Sequence, residues 1–218
     1  MIRTFGPNEA LFLVEALRWT VALSVLAFLG GGLLGAVVAL ARISENRVVR
    51  WIAAGWIEVV QGTPVLILLF LTFYGLPLLG TRLPPIVAAG LGMTIYASAF
   101  LGDIWRGCIE AVPKGQWEGA SALALSRWQR MRLVVLPQAV RLAVPPTVGF
   151  SVQIIKNTSV ASIIGFVELA RAGVLMNNVT FQPFSVFLTV SALYFVLCWP
   201  LSLASRRLER VLRVGPRG

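Results

Sequence analysis

From Trp19 to Ala41 the chain runs 23 residues without a charge, closed by Arg18 before it and Arg42 after it. A helix of roughly 20 apolar residues crosses the hydrocarbon core of a bilayer, where backbone polar groups must be satisfied within the segment itself. The run therefore predicts a membrane-spanning helix, and the pattern recurs. Leu83 to Gly102 gives 20 uncharged residues, Phe184 to Ser205 gives 22, and Trp51 to Thr81 holds one charge, Glu58, in 31 residues. A fifth run, Leu142 to Ile155, has only 14 uncharged residues and contains Pro145 and Pro146. It reaches membrane length by starting near Pro137 and ending past Lys156. A charged, proline-containing span is expected to be enclosed by other helices.

These runs predict an all-α, polytopic membrane protein, one transmembrane domain over residues 1–218. Its five spans lie at about 19–41, 51–76, 83–105, 137–159 and 184–205, with short helices on the cytoplasmic face. Only 13% of the residues are charged, against about 25% in soluble domains. The net charge of +10 would suit nucleic acid if it formed a water-facing patch, but the basic residues are parted by apolar runs, so no nucleic-acid partner is expected. Their distribution sets sidedness instead. Segments 42–50, 106–141 and 206–217 hold 14 of the 19 Lys and Arg residues, and the remaining five are Arg3, Arg18, Arg82, Lys156 and Arg171. By the positive-inside rule the richer set is cytoplasmic, which puts the N-terminus outside and the C-terminus inside. Glu9 and Glu15 precede the first run where a signal peptide would be basic, so no cleavage is expected. Arg206, Arg207, Arg210 and Arg213 suit anchoring of the last helix to anionic membrane lipid.

Several chemistries drop out. The chain has no histidine, hence no Ser-His-Asp triad and no HExxH zinc site. Cys108 and Cys198 show neither CxxC spacing nor disulfide density and read as reduced, structural thiols. No GxxxxGK[ST] stretch is present, so any ATP is expected to be hydrolysed by a partner. No cofactor and no metal are expected. Gly31 and Gly35 form a GxxxG, which reads as close helix packing.

The polar stretch 108–137 is too long for an ordinary connection and looks folded. Trp117 to Leu125 is alanine-rich and helix-prone, and Ser126 can cap a second helix running to Pro137. On pattern alone these two short helices suit either docking in a groove of a soluble partner or lying on the membrane surface.

Glu118-Gly119-Ala120, Ala124, Val134, Leu136 and Pro137 stand at the spacing of the EAA loop of bacterial ABC-transporter permeases, which they resemble. Pro113 to Trp117, Gln138-Ala139, Gly62-Thr63-Pro64, Tyr74-Gly75-Leu76-Pro77 and Asn157 to Gly165 are similar to the polar amino-acid uptake subfamily. The resemblance implies an importer permease in the inner membrane, with a second permease copy or a homologous permease. It also implies two cytoplasmic ATP-binding subunits, an extracytoplasmic solute-binding protein and an amino-acid-like substrate. It makes 110–137 the ATPase-coupling loop, carried by Trp117, Glu118, Gly119, Ala120, Leu123, Ala124, Leu125 and Pro137. Gly119 replaces the family's second alanine, and Ala124 its turn glycine. If that turn needs a positive φ, alanine fits it poorly; a helical geometry is the alternative. Gln61 stands where many relatives carry Arg, and Asp103 where they carry Glu, which leaves the substrate class more open than the transport function. A permease for another small solute, a passive channel and a membrane scaffold are the competing readings.

Polar groups and helix breaks at membrane depth point to a pathway. Gly62-Thr63-Pro64 interrupts an apolar run, and Gln61 and Thr63 could face a solute; Thr63 could equally bond back to its own helix. Glu58 shares a face with Gln61 but could sit near the interface. Asn157, Thr158, Ser159 and Ser162 supply donors and acceptors, while Lys156 and Glu168 supply opposite charges for a zwitterion; otherwise the segment is an outer interface with Lys156 snorkelling. Asp103 and Arg106 read as a helix-end ion pair.

Overall fold

The computed structural model describes residues 4–212; Arg3, Arg213 and Arg217, counted above, lie outside them. The described chain is helical throughout its ordered elements, without strands. Helix α1 spans Pro7–Arg42 and has 36 residues, about 54 Å at 1.5 Å per residue, well beyond the ~30 Å hydrocarbon thickness. Glu9, Glu15 and Arg18 end the apolar run but not the helix, which starts twelve residues before Trp19, at Pro7. The Gly6 N–H donates to Glu9 at 3.0 Å, and Pro7 at the first turn loses no helical bond.

The stretch predicted as one span over 51–76 is folded as two helices. Helix α2, Arg47–Gly62, begins at Asn46, whose side chain accepts from the N–H groups of Val48 and Val49. Helix α3, Val65–Leu78, follows at a bend of 102°. Pro64 crowds the residue before it out of the helical region, and Thr63 is accordingly extended at φ −101°, ψ 128°. Within α3, Leu71–Gly75 forms a π-helical turn.

Helix α4, Pro85–Glu110, is the central element. It packs against α1 through small residues: Gly31 and Gly35 lie against Ala97, Ser98, Leu101 and Gly102, as the GxxxG predicts. Helix α5, Lys114–Ala122, leads to α6, Arg127–Ser162. Here the structure departs from the expectation of a short helix stopped by Pro137. Residues Arg130–Val135 take a π-helical turn, and Pro137 enters at the head of the following α-segment, Leu136–Asn157. A widened turn absorbs the proline's missing N–H and its ring, so the helix passes through. It closes in a 3₁₀ stretch, Thr158–Ser162. Helix α7, Leu169–Thr180, has no counterpart among the predicted segments, and α8, Pro183–Leu212, ends the described chain.

The core joins Leu23 and Ala27 of α1, Leu69 of α3, Met93 and Leu101 of α4 and Ile154 of α6. Leu33, Val37, Trp51, Ile52, Phe184 and Val196 remain exposed, the apolar surface expected against lipid. Among the described residues, four helices are long and apolar enough to cross a membrane, or five if the bent pair α2–α3 counts as one span.

Candidate functional site: the loop below α4 and the broken helix

The polar loop folds as an anchored bracket. Ala120 is buried and Trp117 half-buried, with Trp117 packed on a cluster of Ile109, Val112, Met131, Val135 and Ala139. Glu118 and Gly119 stay exposed, as does Leu123 at 76%. Helix α5 thus spends one face on α4 and α6 and leaves the other outward. It ends with two bonds, Leu125 N–H to the Ala120 carbonyl at 3.3 Å and Ala124 N–H to the Ser121 carbonyl at 2.9 Å. That pair defines a Schellman cap, whose penultimate position is left-handed and favours glycine. Ala124 occupies it at φ 55°, so the helical alternative for this turn is not the one adopted.

Leu125, half-buried, hands the chain to Ser126. Its hydroxyl accepts from the Gln129 N–H at 3.4 Å, and Gln129 Oε1 accepts from the Ser126 N–H at 2.8 Å, a capping box that starts α6. Two side-chain bonds brace α5 to α6: Arg130 Nη1 donates to Ser121 Oγ at 2.6 Å, and Gln138 Nε2 donates to Gln116 Oε1 at 3.2 Å. Arg127 ties the junction to the end of α1 through an ion pair with Glu45 and a bond to the Ile43 carbonyl. Pro137 lies just beyond the π-helical turn, on the same rod.

At the far end of α6 the second group of residues gathers. The half-helix Val65–Phe70 packs against Thr158–Ser162, which brings the break at Thr63-Pro64 and the 157–162 segment to one region. Within it, hydroxyls differ in availability. Thr63 Oγ1 donates to the Val59 carbonyl at 2.7 Å, the back-bonded arrangement. Thr158 is fully buried and donates to the Ile155 carbonyl, and Ser159 donates to Lys156, each at 2.7 Å. Gln61 and Lys156 are exposed, and Asn157 and Ser162 are half-buried.

Glu168 has a different setting. Its side chain is 0% exposed and caps α7, accepting from the N–H groups of Ala170 at 3.0 Å and Arg171 at 2.9 Å. The Tyr194 hydroxyl of α8 donates to it at 2.8 Å and Thr20 Oγ1 of α1 at 3.4 Å, while Leu169 N–H donates to that same Thr20 oxygen at 3.1 Å. The carboxylate therefore locks three helices together and has no open face for a solute. Thr20 and Tyr194 were missed by sequence reasoning; each is one of several polar residues inside an apolar run, and nothing in the run singles it out. Asp103 and Arg106 pair at 2.8 Å, with Glu110 on the other side of the guanidinium.

A bundle of long apolar helices, one broken at a proline and one whose polar end joins an anchored helical bracket, is the architecture of a transport permease. Residues 31–214 match the family described as "Binding-protein-dependent transport system inner membrane component", and the chain belongs to it. The probable amino-acid ABC transporter permease YckA of Bacillus subtilis is 32% identical, over 86% of this chain and 83% of its own. The glutamine transport system permease GlnP of Escherichia coli is 32% identical over 93% of each. A crystal structure of an amino acid ABC transporter with histidines superimposes with a TM-score of 0.87 at 32% identity, covering 92% of this chain and 94% of that one. An inward-facing methionine transporter shares the fold, with a TM-score of 0.81 at 20% identity. The chain is the transmembrane permease subunit of an ABC importer, a multi-pass inner-membrane protein whose partners are those of an ABC system.

Proposed function

We propose that this permease forms the pathway for a polar amino acid or close analogue, received from an extracytoplasmic solute-binding protein. It pairs with a second copy or a homologous permease, and ATP is hydrolysed by two cytoplasmic subunits rather than by this chain. The N-terminus faces outward and the C-terminus inward, which puts α5 in the cytoplasm. One observation carries the reading: the exposed face of α5 is braced to a single rod, Arg127–Ser162, whose other end is the polar segment Asn157–Ser162. A displacement of α5 by an ATPase closing on ATP would therefore move the far segment directly, without an intervening loop to absorb it.

In this mechanism Glu118, Gly119, Leu123 and Ala124 meet the ATPase, while Trp117, Ala120, Leu125 and Pro137 hold the bracket to the spans. Gln61, Asn157 and Ser162 contact the solute, with Thr63, Thr158 and Ser159 shaping the backbone around it and Lys156 offering a cation to a carboxylate. The relatives named for amino-acid and glutamine transport support the substrate class.

The test is ATP turnover by the complex in lipid with a panel of amino acids and the cognate binding protein, wild type against Glu118→Lys. Stimulation by one solute class that is lost in the variant supports both halves of the reading. No stimulation by any amino acid, with the ATPase still bound, overturns the cargo; loss of ATPase association in wild type overturns the coupling role.

A further inference from the structure

Between α1, α4 and α6 lies a cleft of about 490 Å³ with almost wholly hydrocarbon walls. Ala36, Ala39 and Leu40 form one side, Trp105 and Ile109 the back, and a stripe of α6 from Leu136 to Val148 the other side. The polar pair inside is closed on itself, because the Trp105 indole N–H donates to Thr147 Oγ1 at 2.8 Å. Such a cleft offers a polar solute nothing to bind. Its length does suit a particular occupant: the stripe on α6 extends about 18 Å at 1.5 Å per residue, and one leaflet of the hydrocarbon core is about 15 Å deep.

The end of the cleft nearest α5 is basic. Arg42 stands one helical turn beyond Ala39, and Arg132 one turn before Leu136. Two acids near this end are already engaged, Glu45 by Arg127 and Glu110 by Arg106. Arg42 Nε is buried without an acceptor among the described residues. A buried donor left unpaired is costly, and an anionic oxygen placed there would remove the cost and balance the cations.

We propose that this cleft binds one anionic phospholipid, with an acyl chain between α1, α4 and α6 and its phosphate at Arg42 and Arg132. The leaflet is the cytoplasmic one under the orientation proposed above; the binding site itself rests on the cleft and its cations, and depends on neither the solute nor the ATPase. Because α6 is one wall, the lipid sits against the rod that leads to the bracket.

The test is native mass spectrometry of the assembled transporter released from mixed phosphatidylglycerol and phosphatidylcholine. The expected result is one retained lipid per permease chain, with phosphatidylglycerol preferred about tenfold or more, in keeping with two cations at the headgroup. Ala143→Phe fills the cleft and abolishes retention of both lipids. The double variant Arg42→Gln, Arg132→Gln alters only the basic end and should equalise the two lipids while keeping the acyl chain. Absence of retained lipid in wild type, equal retention of both lipids by wild type, or an unchanged preference in the arginine variant would overturn the proposal. Efficient disulfide formation between two copies of Ala143→Cys in native membranes would overturn it too, by giving the cleft to a second permease.

Discussion

Gly31 of α1 lies so close to Ala97 of α4 that a methyl group on the glycine would stand 2.3 Å from the alanine Cβ. Gly35, one turn on, meets the Gly102 backbone nitrogen and the Ser98 carbonyl at 3.1 Å in the same way. Close approach of backbones is how membrane helices gain packing where lipid offers no hydrophobic drive. Gly31→Ala is expected to destabilise the purified permease by about 1–3 kcal/mol, the usual cost of overpacking. Gly55 of α2 has nothing within 4 Å of its added Cβ, so Gly55→Ala should instead hold or raise stability, by up to about 1 kcal/mol from helix propensity. Thermal unfolding of the two variants in one detergent checks the contrast.

The bracket carries its own strain. Ala124 sits at φ 55° where a Schellman cap favours glycine, and the left-handed region costs an ordinary residue about 1–2 kcal/mol. Ala124→Gly should recover most of that, less the glycine's greater freedom when unfolded, for a net gain of about 0.5–1 kcal/mol. Slower amide exchange at Leu125, whose N–H closes the cap, is the local readout. An unchanged or faster exchange would mean that the turn relaxes in the membrane-bound protein.

Glu168 can be assigned by substitution. Glu168→Ala leaves two helix-start N–H groups and a tyrosine hydroxyl without their acceptor. A lost cap costs about 1 kcal/mol and an unsatisfied buried donor about 1–3 kcal/mol, so a loss of about 3 kcal/mol is expected. Glu168→Gln keeps one acceptor oxygen and should lose less. Melting temperatures ranked wild type, Gln, Ala support the cap; an unaltered melt with abolished uptake would return the carboxylate to the pathway.

What was readable in advance follows from how local each cause is. Charge-free runs and a GxxxG act within a helix or on one apolar face, so the long apolar helices and a close-packing face on α1 were legible, while the choice of α4 as its partner was not. Pro64 forces its own break, but the 102° angle depends on how α3 packs. Pro137 misled as a stop because the accommodating π-helical turn at Arg130–Val135 is invisible in composition. Helix α7 escaped notice because Arg171, Asn177 and Asn178 interrupt its apolar pattern. The cap at Glu168 joins residues 148 and 26 positions away, Thr20 and Tyr194, a relationship only the tertiary fold creates. Of the coupling loop, the capping Ser126 was legible and the positive φ at Ala124 was suspected only through the family resemblance.

The brace between α5 and α6 should set how faithfully a push is transmitted. Arg130 to Ser121 and Gln138 to Gln116 are exposed bonds, each worth about 0.5–1.5 kcal/mol. Removing both in Arg130→Leu, Gln138→Leu shifts a docked-against-loose equilibrium of α5 by about 1–3 kcal/mol, or about five- to 150-fold. The outward face with Glu118 and Leu123 is untouched, so ATPase association should persist while solute-stimulated turnover falls and basal turnover does not. A parallel loss of association would show that the two bonds shape the docking face itself, and full stimulation would show that the Trp117 and Ala120 anchors suffice.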